Sequence, residues 1–446
     1  MLITNALLAT QGENNQLTAN AALYIQGDRI VEIGDTTTLA QKHPRAETLD
    51  ARGQLVMPGN ICAHTHFYGA FSRGMAIPGD PPRDFPEILG RLWWPLDKAL
   101  RDLDVKYSAL VCLVDAIRHG TTTLIDHHAS PNAIHGSLDQ IADAVQEAGV
   151  RACLCYEVSD RDGLERAKEG IDENVRFIHA LKERETSLLA AAFGLHASLT
   201  LSDKTLADCV AAAPEGVGFH IHVAEASADQ EDSLRKSGQR VVERLHAAGI
   251  LRPQTILAHC VHIDPWEMEI LRDTGVWVTH QPRSNMNNAV GVSDVPAMLR
   301  GGLNVGLGND GFSNDMFTEM MFTYLVHKLH HRDPRVMGGY DVMKLAYANN
   351  SRLARLFWPD APLGELTVGA YADIIFADYA PFTSFVAENL PWHILFGIGG
   401  SAVTTTIAGG QVLMRDRQLL TLDPAAIAAR ARELSAEVWE RYQAQF

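Results

Sequence analysis

The chain has 446 residues, with 38 Lys and Arg against 54 Asp and Glu, so its formal net charge is −16. An acidic surface of this kind disfavours polyanionic partners such as nucleic acid or an anionic membrane. The six cysteines show no paired spacing, and no stretch approaches the roughly 18 apolar residues of a membrane span or signal segment. We therefore expect a reduced, cytoplasmic protein that binds neither nucleic acid nor a membrane.

The first segment of the chain, up to about residue 57, is predicted to be rich in β-strands. Residues 21–26 and 29–33 alternate between apolar and polar side chains, and Gly27-Asp28 between them is a typical hairpin turn. This segment has too few strands to form a core of its own.

The next apolar run passes Pro58-Gly59 and leads to His64-Thr65-His66. In a β-strand, residues separated by one position point to the same face, so the two imidazoles lie about 6 to 7 Å apart, close enough to bind one metal ion. A single His-x-His pair is a weak signal in a chain with 19 histidines. The prediction of a metal site therefore depends on ligands further along the chain.

Between about residues 58 and 362, short apolar runs alternate with longer stretches of helical period. The clearest strand-like runs are residues 121–125, 151–156, 190–195 and 275–279, and the clearest helical ones are 105–118 and 138–148. This alternation predicts an α/β fold, a (β/α)₈ TIM barrel, in which active-site residues gather at the C-terminal ends of the strands. A doubly wound sheet normally has a glycine-rich phosphate loop after its first strand, and this chain has none there.

Three later apolar runs also end in residues that bind metals. The first contains a second His-x-His pair, His220 and His222, with Glu225 three positions beyond it. The other two end at His259 and at Asp310. Each residue alone is more commonly a buried, hydrogen-bonded histidine or part of a turn. Together with the first pair, they would face one another across the mouth of a barrel.

The C-terminal segment is predicted to return to β-structure. Strands resume within residues 364–376, and residues 403–407 and 411–414 form a hairpin around Gly409-Gly410. We expect residues 1–57 and 363–446 to combine in a small β-sandwich built from both termini, beside a barrel domain of residues 58–362. A helix over residues 424–445 should pack on the outside.

These motifs, in this order, resemble the amidohydrolase superfamily and, within it, the cytosine deaminase and chlorohydrolase-like branch. The resemblance covers essentially the whole chain. It rests on residues 56–59, His64-x-His66, His222-x-x-Glu225, His259, Asp310 and residues 366–373. More narrowly, the chain resembles the SsnA-type aminohydrolases, through residues 64–68, 92–94, 125–131 and 283–288.

The resemblance implies a role for each of the strand-end residues. One divalent metal ion, most simply Zn²⁺ with Fe²⁺ as the alternative, would be bound by His64, His66, His222 and Asp310. Such an ion lowers the pKa of a bound water to about 7. The implied catalytic residues are Glu225 as proton shuttle, His259, which stabilises charge in the tetrahedral intermediate, and Asp310.

The fourth predicted strand indicates how many metal ions the site holds. Two-metal members of the superfamily, such as hydantoinases, use a carbamylated lysine at the end of this strand. Residues 190–196 of this chain contain no lysine. A single-metal site is therefore favoured, and with it deamination of an aromatic amidine over opening of a cyclic amide.

Four residues are candidates for substrate binding, although each type also has a common structural role. His196 ends a strand, and in related deaminases this position contacts the substrate. Trp93 could stack on a flat heterocycle, His128 could reach the pocket, and Arg283 could bind a carbonyl or carboxylate. Buried histidines and tryptophans often only pack in cores, and most arginines lie on the surface. The three histidines 327, 330 and 331 are predicted to form a cluster on a helix surface.

We therefore predict a metal-dependent hydrolase that acts on carbon–nitrogen bonds of cyclic amidines. Its small-molecule substrate would be an N-heterocycle, an aminated purine-, pterin- or pyrimidine-like ring that loses ammonia. One alternative is hydrolysis of another leaving group, a halide or a cyclic amide such as a hydantoin. Another is a non-catalytic barrel that binds a ligand, which the retention of Glu225 and His259 disfavours. Because related barrels commonly form dimers, we also expect a homodimer.

Overall fold

The computed structural model describes residues 1–12, 15–184 and 186–446. Over these ranges the chain is an α/β protein, as predicted. Its strands form a four-stranded sheet and a five-stranded sheet from the middle of the chain, and a nine-stranded sheet from both ends. Within the described ranges, the helices lack the length and apolar composition needed to cross a membrane.

The strands of the middle of the chain pair in parallel and follow one another in chain order. The four-stranded sheet consists of Asn60–Thr65, Thr121–Asp126, Arg151–Leu154 and Leu189–Ala191. The five-stranded sheet consists of Phe193–Ala197, Phe219–Val223, Ile256–His259, Trp277–His280 and Asn304–Leu307.

The two parallel sheets meet at both of their edges. A parallel bridge joins Thr65 to Asp310, and another joins Val158 to Leu195. The predicted fourth strand is interrupted at Ala192, where its pairing changes from one sheet to the other. The strand order thus returns to its starting point, so the C-terminal ends of all these strands lie on one side, where parallel α/β folds build their active sites.

The two ends of the chain are connected through the strand Leu55–Pro58. This strand pairs in parallel with Leu2–Ala9 and antiparallel with Ile374–Ala377. The strands expected to form a sandwich of two sheets therefore belong to a single connected sheet. Its members are Leu2–Ala9, Leu17–Gln26, Arg29–Asp35, Thr48–Asp50, Leu55–Pro58, Ile374–Ala377, Val403–Ala408, Gln411–Arg415 and Gln418–Leu419.

Seven of the α-helices in the described ranges begin at a side chain that caps them. Asp264, for example, accepts from the backbone N–H of Glu267, whose carboxylate accepts in return from the backbone of Asp264. The α-helices are Thr36–Lys42, Phe85–Ile88, Trp94–Ala99, Asp102–Arg118, Ser137–Ala148, Leu164–Leu181, Asp203–Ala212, Ser227–Ser237, Val241–Ala247, Pro265–Thr274, Pro282–Asn287, Val295–Arg300, Met316–His331, Gly339–Met343, Asn350–Ala354, Leu390–Gly397 and Pro424–Gln443. Short 3₁₀ or π segments cover Phe67–Ser72, Leu89–Trp93, Ser198–Thr200, Lys344–Asn349 and Gly400–Ala402.

One predicted surface cluster is wrong in part. His327 is fully buried, because it lies on the inner face of the helix Met316–His331 with Met320 and Thr323. Its Nε2 lies 3.2 Å from Nε2 of His280, at the end of a strand. Only His330 and His331 lie toward the solvent.

Candidate active site

The backbone at three strand ends is held in a conformation that favours glycine. Ala224, His259 and Asp310 have φ angles of 46°, 74° and 58°. Such left-handed conformations cost energy in residues with a side chain and are concentrated at functional sites. Here they turn the chain sharply just after the strands and point the side chains of His259 and Asp310 at the same place.

The four residues predicted to bind metal lie together at this place. Nε2 of His66 is 2.9 Å from Oδ1 of Asp310 and 3.1 Å from Nε2 of His222. Nε2 of His64 is 3.3 Å from the same Asp310 oxygen. Ligand atoms on a four-coordinate zinc ion are separated by roughly 3.4 Å, given bonds of about 2.1 Å. The spacing of these atoms therefore fits a single small cation.

Each of the three histidines is oriented by its other ring nitrogen. Nδ1 of His66 donates to the carbonyl of His127 at 2.6 Å, and Nδ1 of His222 donates to the carbonyl of His196 at 2.8 Å. Nδ1 of His64 lies 2.8 Å from Nε2 of His220. Metal-binding histidines are usually fixed in this way, with the second nitrogen left for the ion.

The electrostatics also fit a cation. Burial lowers the pKa of His64 to about 4 and holds the pKa of His222 well below its usual value, so both rings are neutral. Burial lowers the pKa of His66 too, but the hydrogen bond to Asp310 and the charges of Asp310 and Glu157 together outweigh it and raise this pKa to about 9. Nε2 of His64 is buried and has no hydrogen-bond partner among the described residues. A divalent ion would satisfy this nitrogen of His64. It would also replace the proton that His66 carries at a pKa of about 9.

Glu225 and His259 form a second layer beside the ligand cluster. Oε2 of Glu225 lies 3.4 Å from Nε2 of His259, and its Oε1 accepts from the side-chain amide of Asn288 at 3.2 Å. Nδ1 of His259 donates to Oδ1 of Asn285 at 2.8 Å. Burial raises the pKa of Glu225, so this carboxyl can exchange a proton more readily near neutral pH.

Four of these residues form the floor of a cavity of about 510 Å³, large enough for a small-molecule ligand. Its lining includes His66, His222, Glu225 and Asp310. The lining also includes residues from the segments after the strand Asn60–Thr65 and from the C-terminal helix, among them Ile427. A bound molecule could therefore contact this helix as well as the metal-binding residues.

Two of the predicted substrate-binding residues line this cavity. His196 lies near the floor, where its Nδ1 is 2.7 Å from the hydroxyl of Thr200 and its other nitrogen remains available. Trp93 and its neighbour Trp94 form part of the wall. Trp93 packs edge-on against Tyr68, with ring centroids 6.4 Å apart.

The other two do not line the cavity, which corrects their predicted role. Arg283 is turned away because its guanidinium pairs with buried Glu319 and donates to the carbonyl of Ser313 at 2.7 Å. His128 is fully buried, with Nε2 hydrogen-bonded at 2.9 Å to Ser130. The guanidinium of Arg283 and Nε2 of His128 therefore already have protein partners.

Three polar residues beside the site have no role predicted from the sequence. Ser284, Asn285 and Asn288 come from the helix Pro282–Asn287 and the residue after it, and they contact Asp310, His259 and Glu225 respectively. The polar run 283–288 is visible in the sequence and carries part of the family resemblance, but a role is predicted from it only for Arg283.

The C-terminal helix also takes part in the site rather than packing only on the outside. Nε1 of Trp439 donates to the carbonyl of Phe71 at 2.8 Å, and Nε2 of Gln445 donates to the carbonyl of Pro95 at 2.7 Å. Both carbonyls belong to segments that wall the cavity. The helix therefore fixes the backbone that carries the two tryptophans.

Comparison with known proteins identifies the class to which this fold and site belong. The model of the amidohydrolase family matches residues 55–413. The match covers most of the chain, and the protein belongs to the amidohydrolase family.

Individual relatives are similar over almost their whole length. The chain is 31% identical to a 5′-deoxyadenosine deaminase of Methanosarcina mazei, over 99% of each chain. It is 30% identical to a 5-methylthioadenosine/S-adenosylhomocysteine deaminase of Pelotomaculum thermopropionicum, again over 99% of each. Among solved structures, an adenosine deaminase from Xanthomonas campestris with bound zinc superposes with a TM-score of 0.86 at 23% identity, over 98% of each chain. This last likeness is one of fold.

Proposed function

We propose that this amidohydrolase is a metal-dependent deaminase that releases ammonia from an aminated purine-like ring. The observation that carries the proposal is the convergence of His64, His66, His222 and Asp310 beside the Glu225–His259 pair, where four of these six residues line one cavity. The names of the relatives support a purine over a pterin or pyrimidine ring, since they act on adenine derivatives.

The four converging residues would hold one divalent ion, with zinc as the first candidate and iron as the alternative. When bound, this ion supplies the Lewis acidity that makes water a nucleophile at neutral pH. The chain itself keeps the ligands oriented, because their Nδ1 atoms are tied to His220 and to two backbone carbonyls.

Glu225 is the residue that moves protons. Its carboxylate accepts a proton from the attacking water and delivers it to a ring nitrogen of the substrate. The water oxygen bonds to the ring carbon that carries the amino group. The remaining proton of that oxygen passes to the amino nitrogen, the carbon–nitrogen bond breaks, and ammonia leaves as the ring carbonyl forms. His259, 3.4 Å from Glu225, stabilises the oxygen on which negative charge develops: as an imidazolium it donates from Nε2 to that oxygen and from Nδ1 to Asn285, which keeps its ring in place.

The cavity wall would select a flat ring. Trp93 offers an aromatic surface for stacking, and His196 offers a ring nitrogen near the floor. The volume of about 510 Å³ leaves room for a substituent on the ring that reaches toward the C-terminal helix. A nucleoside therefore fits the shape of this cavity better than a bare base.

We further propose how the chain is organised. Residues 58–362 form a (β/α)₈ barrel that carries the site, and residues 1–57 and 363–446 form one composite β domain with the C-terminal helix. The parallel bridges Thr65 to Asp310 and Val158 to Leu195 support the closed barrel. A homodimer in the cytoplasm, with no nucleic-acid or membrane partner, remains our expectation from the sequence.

An ammonia-release screen tests the reaction. Zinc-loaded protein is incubated with amino-purines, including the adenine nucleosides named for the relatives, and with amino-pterins, amino-pyrimidines, a hydantoin and a chlorinated triazine. We expect ammonia from at least one amino-purine. Opening of the hydantoin, or release of chloride, without ammonia from any amino-substituted ring would overturn the proposal in favour of another leaving group.

A further inference from the structure

His64 differs from the other two histidine ligands in what holds its ring. The Nδ1 atoms of His66 and His222 donate to backbone carbonyls, which no substitution of a side chain removes. Nδ1 of His64 has a side-chain partner instead, Nε2 of His220 at 2.8 Å. The orientation of this one ligand therefore depends on the identity of residue 220.

The hydrogen-bond directions around His220 form a consistent series. Nε2 of His64 must be free of a proton to bind an ion, so Nδ1 of His64 carries the hydrogen and Nε2 of His220 accepts it. Nδ1 of His220 then carries a hydrogen, and it points to Sγ of Cys155 at 3.8 Å. The Cys155 thiol in turn donates to the carbonyl of Asp126 at 3.5 Å. Because the series ends on a backbone carbonyl, which can only accept, every hydrogen bond in it runs from His64 toward Asp126.

The packing leaves His220 few other positions. Its side chain and those of His127 and Cys155 are fully or almost fully buried. The ring of His127 stacks on the ring of His220, with centroids 4.4 Å apart and planes inclined by 17°. The ring of His220 is therefore confined from one face while both of its nitrogens face a partner.

We propose that His220 is a positioning residue for the metal centre: it fixes the tautomer and ring orientation of His64, and Cys155 supports it from behind. This inference rests on the proposed metal site. It also gives a role to the first histidine of the 220–222 pair, which the proposed reaction does not use. A competing assignment is that His127, Cys155 and His220 bind a second ion. The pairing of His220 Nε2 with His64 disfavours it, since Nε2 is then an acceptor and Nδ1, the nitrogen that faces Cys155, carries the hydrogen.

The test compares metal binding in four variants. His220→Leu removes the acceptor, whereas His220→Gln places an amide oxygen near the former Nε2 position. Cys155→Ala removes the support behind the ring. Its matched control is Cys153→Ala, a buried thiol two residues earlier that has no hydrogen bond to His220 among the described residues. The measurements are the zinc dissociation constant by competition with a chelator, and the visible absorption spectrum of the Co²⁺-substituted protein.

We expect His220→Leu to weaken zinc binding about 10- to 100-fold and to change the Co²⁺ spectrum, because loss of an outer-sphere partner has effects of this size. His220→Gln should restore most of the affinity, and Cys155→Ala should weaken binding more than Cys153→Ala. Equal affinities for His220→Leu and the wild type would overturn the inference. So would two bound ions per wild-type chain. If His220→Leu does not fold, His220→Asn, whose shorter amide does not reach the Nε2 position, replaces it in comparison with His220→Gln.

The outcome separates this inference from the proposed function. If the wild-type protein binds no divalent ion, that result contradicts the proposed metal centre and, with it, the proposed role of His220. Wild-type protein that binds one ion as tightly as all the variants contradicts only the role of His220. Thermal unfolding of the metal-free variants shows whether a change in affinity merely reflects a less stable fold.

Discussion

Replacement of Glu225 by Gln should stop turnover without removing the metal ion. The side chain is buried at 7% relative exposure, Asn288 holds Oε1, and Oε2 faces His259. Glutamine has the same shape and keeps an oxygen for Asn288, but it cannot accept a proton. General acid–base catalysis contributes about 10²- to 10⁴-fold in rate. At about 1.36 kcal/mol per factor of ten, the barrier should rise by about 3 to 5 kcal/mol.

The assay is continuous ammonia release by wild type and Glu225→Gln, with zinc content measured on the same samples. We expect kcat to fall by 10²-fold or more, in line with the range above, while KM and zinc content stay close to wild type. Glu157→Gln is the matched control, because Glu157 is also buried and lies 3.4 Å from Nδ1 of His66. If Glu225→Gln and Glu157→Gln lose activity equally, the loss reflects removal of a buried negative charge near the site and not loss of the proton shuttle. Full turnover by Glu225→Gln would refute the proton shuttle.

Three further substitutions test the ligand set, the cavity wall and the fold. Asp310→Asn should lower the zinc content of purified protein and abolish ammonia release, and full zinc occupancy would remove Asp310 from the ligand set. Trp93→Ala should raise KM up to about tenfold, because an aromatic contact is worth about 0.5 to 1.5 kcal/mol, and an unchanged KM would show that the ring does not stack on Trp93. Arg151→Leu should destabilise the protein by about 3 to 5 kcal/mol in denaturant unfolding, because it leaves the buried Asp373, now 2.9 Å from Nε of Arg151, without its partner. The double variant Arg151→Leu/Asp373→Leu should recover part of that loss, and a double variant less stable than the single one would contradict this explanation.

The elements of the middle of the chain were predictable because apolar periodicity is a local property. The helix predicted over residues 105–118 is Asp102–Arg118 in the structure. It begins earlier because the carboxylate of Asp104 accepts from the backbone of Arg101 at 2.8 Å, a capping interaction that the apolar pattern does not contain. Strand bounds differ for a similar reason: the break at Ala192 follows a change of neighbouring strand, which depends on the arrangement of the whole sheet.

The convergence of His64, His66 and Asp310 was predictable because each lies at, or just after, the end of a strand. A role was not predictable where it depends on a partner distant in sequence. Arg283 looked available for a ligand, but Glu319, 36 positions away, occupies its guanidinium. His220 had the spacing of a ligand, yet its contact with His64, 156 positions away, makes it a partner of a ligand. Such pairs exist only after the strands have come together.

The central claim is that one metal ion at the convergence of the four ligands drives deamination. The most direct measurement removes metal from the protein with a chelator, adds zinc back in steps, and records ammonia release from an amino-purine substrate at each step. The proposal predicts that activity is lost with the metal and returns in proportion to zinc, reaching its maximum at one ion per chain. Undiminished ammonia release by the metal-free protein, or a maximum only at two ions per chain, would contradict it.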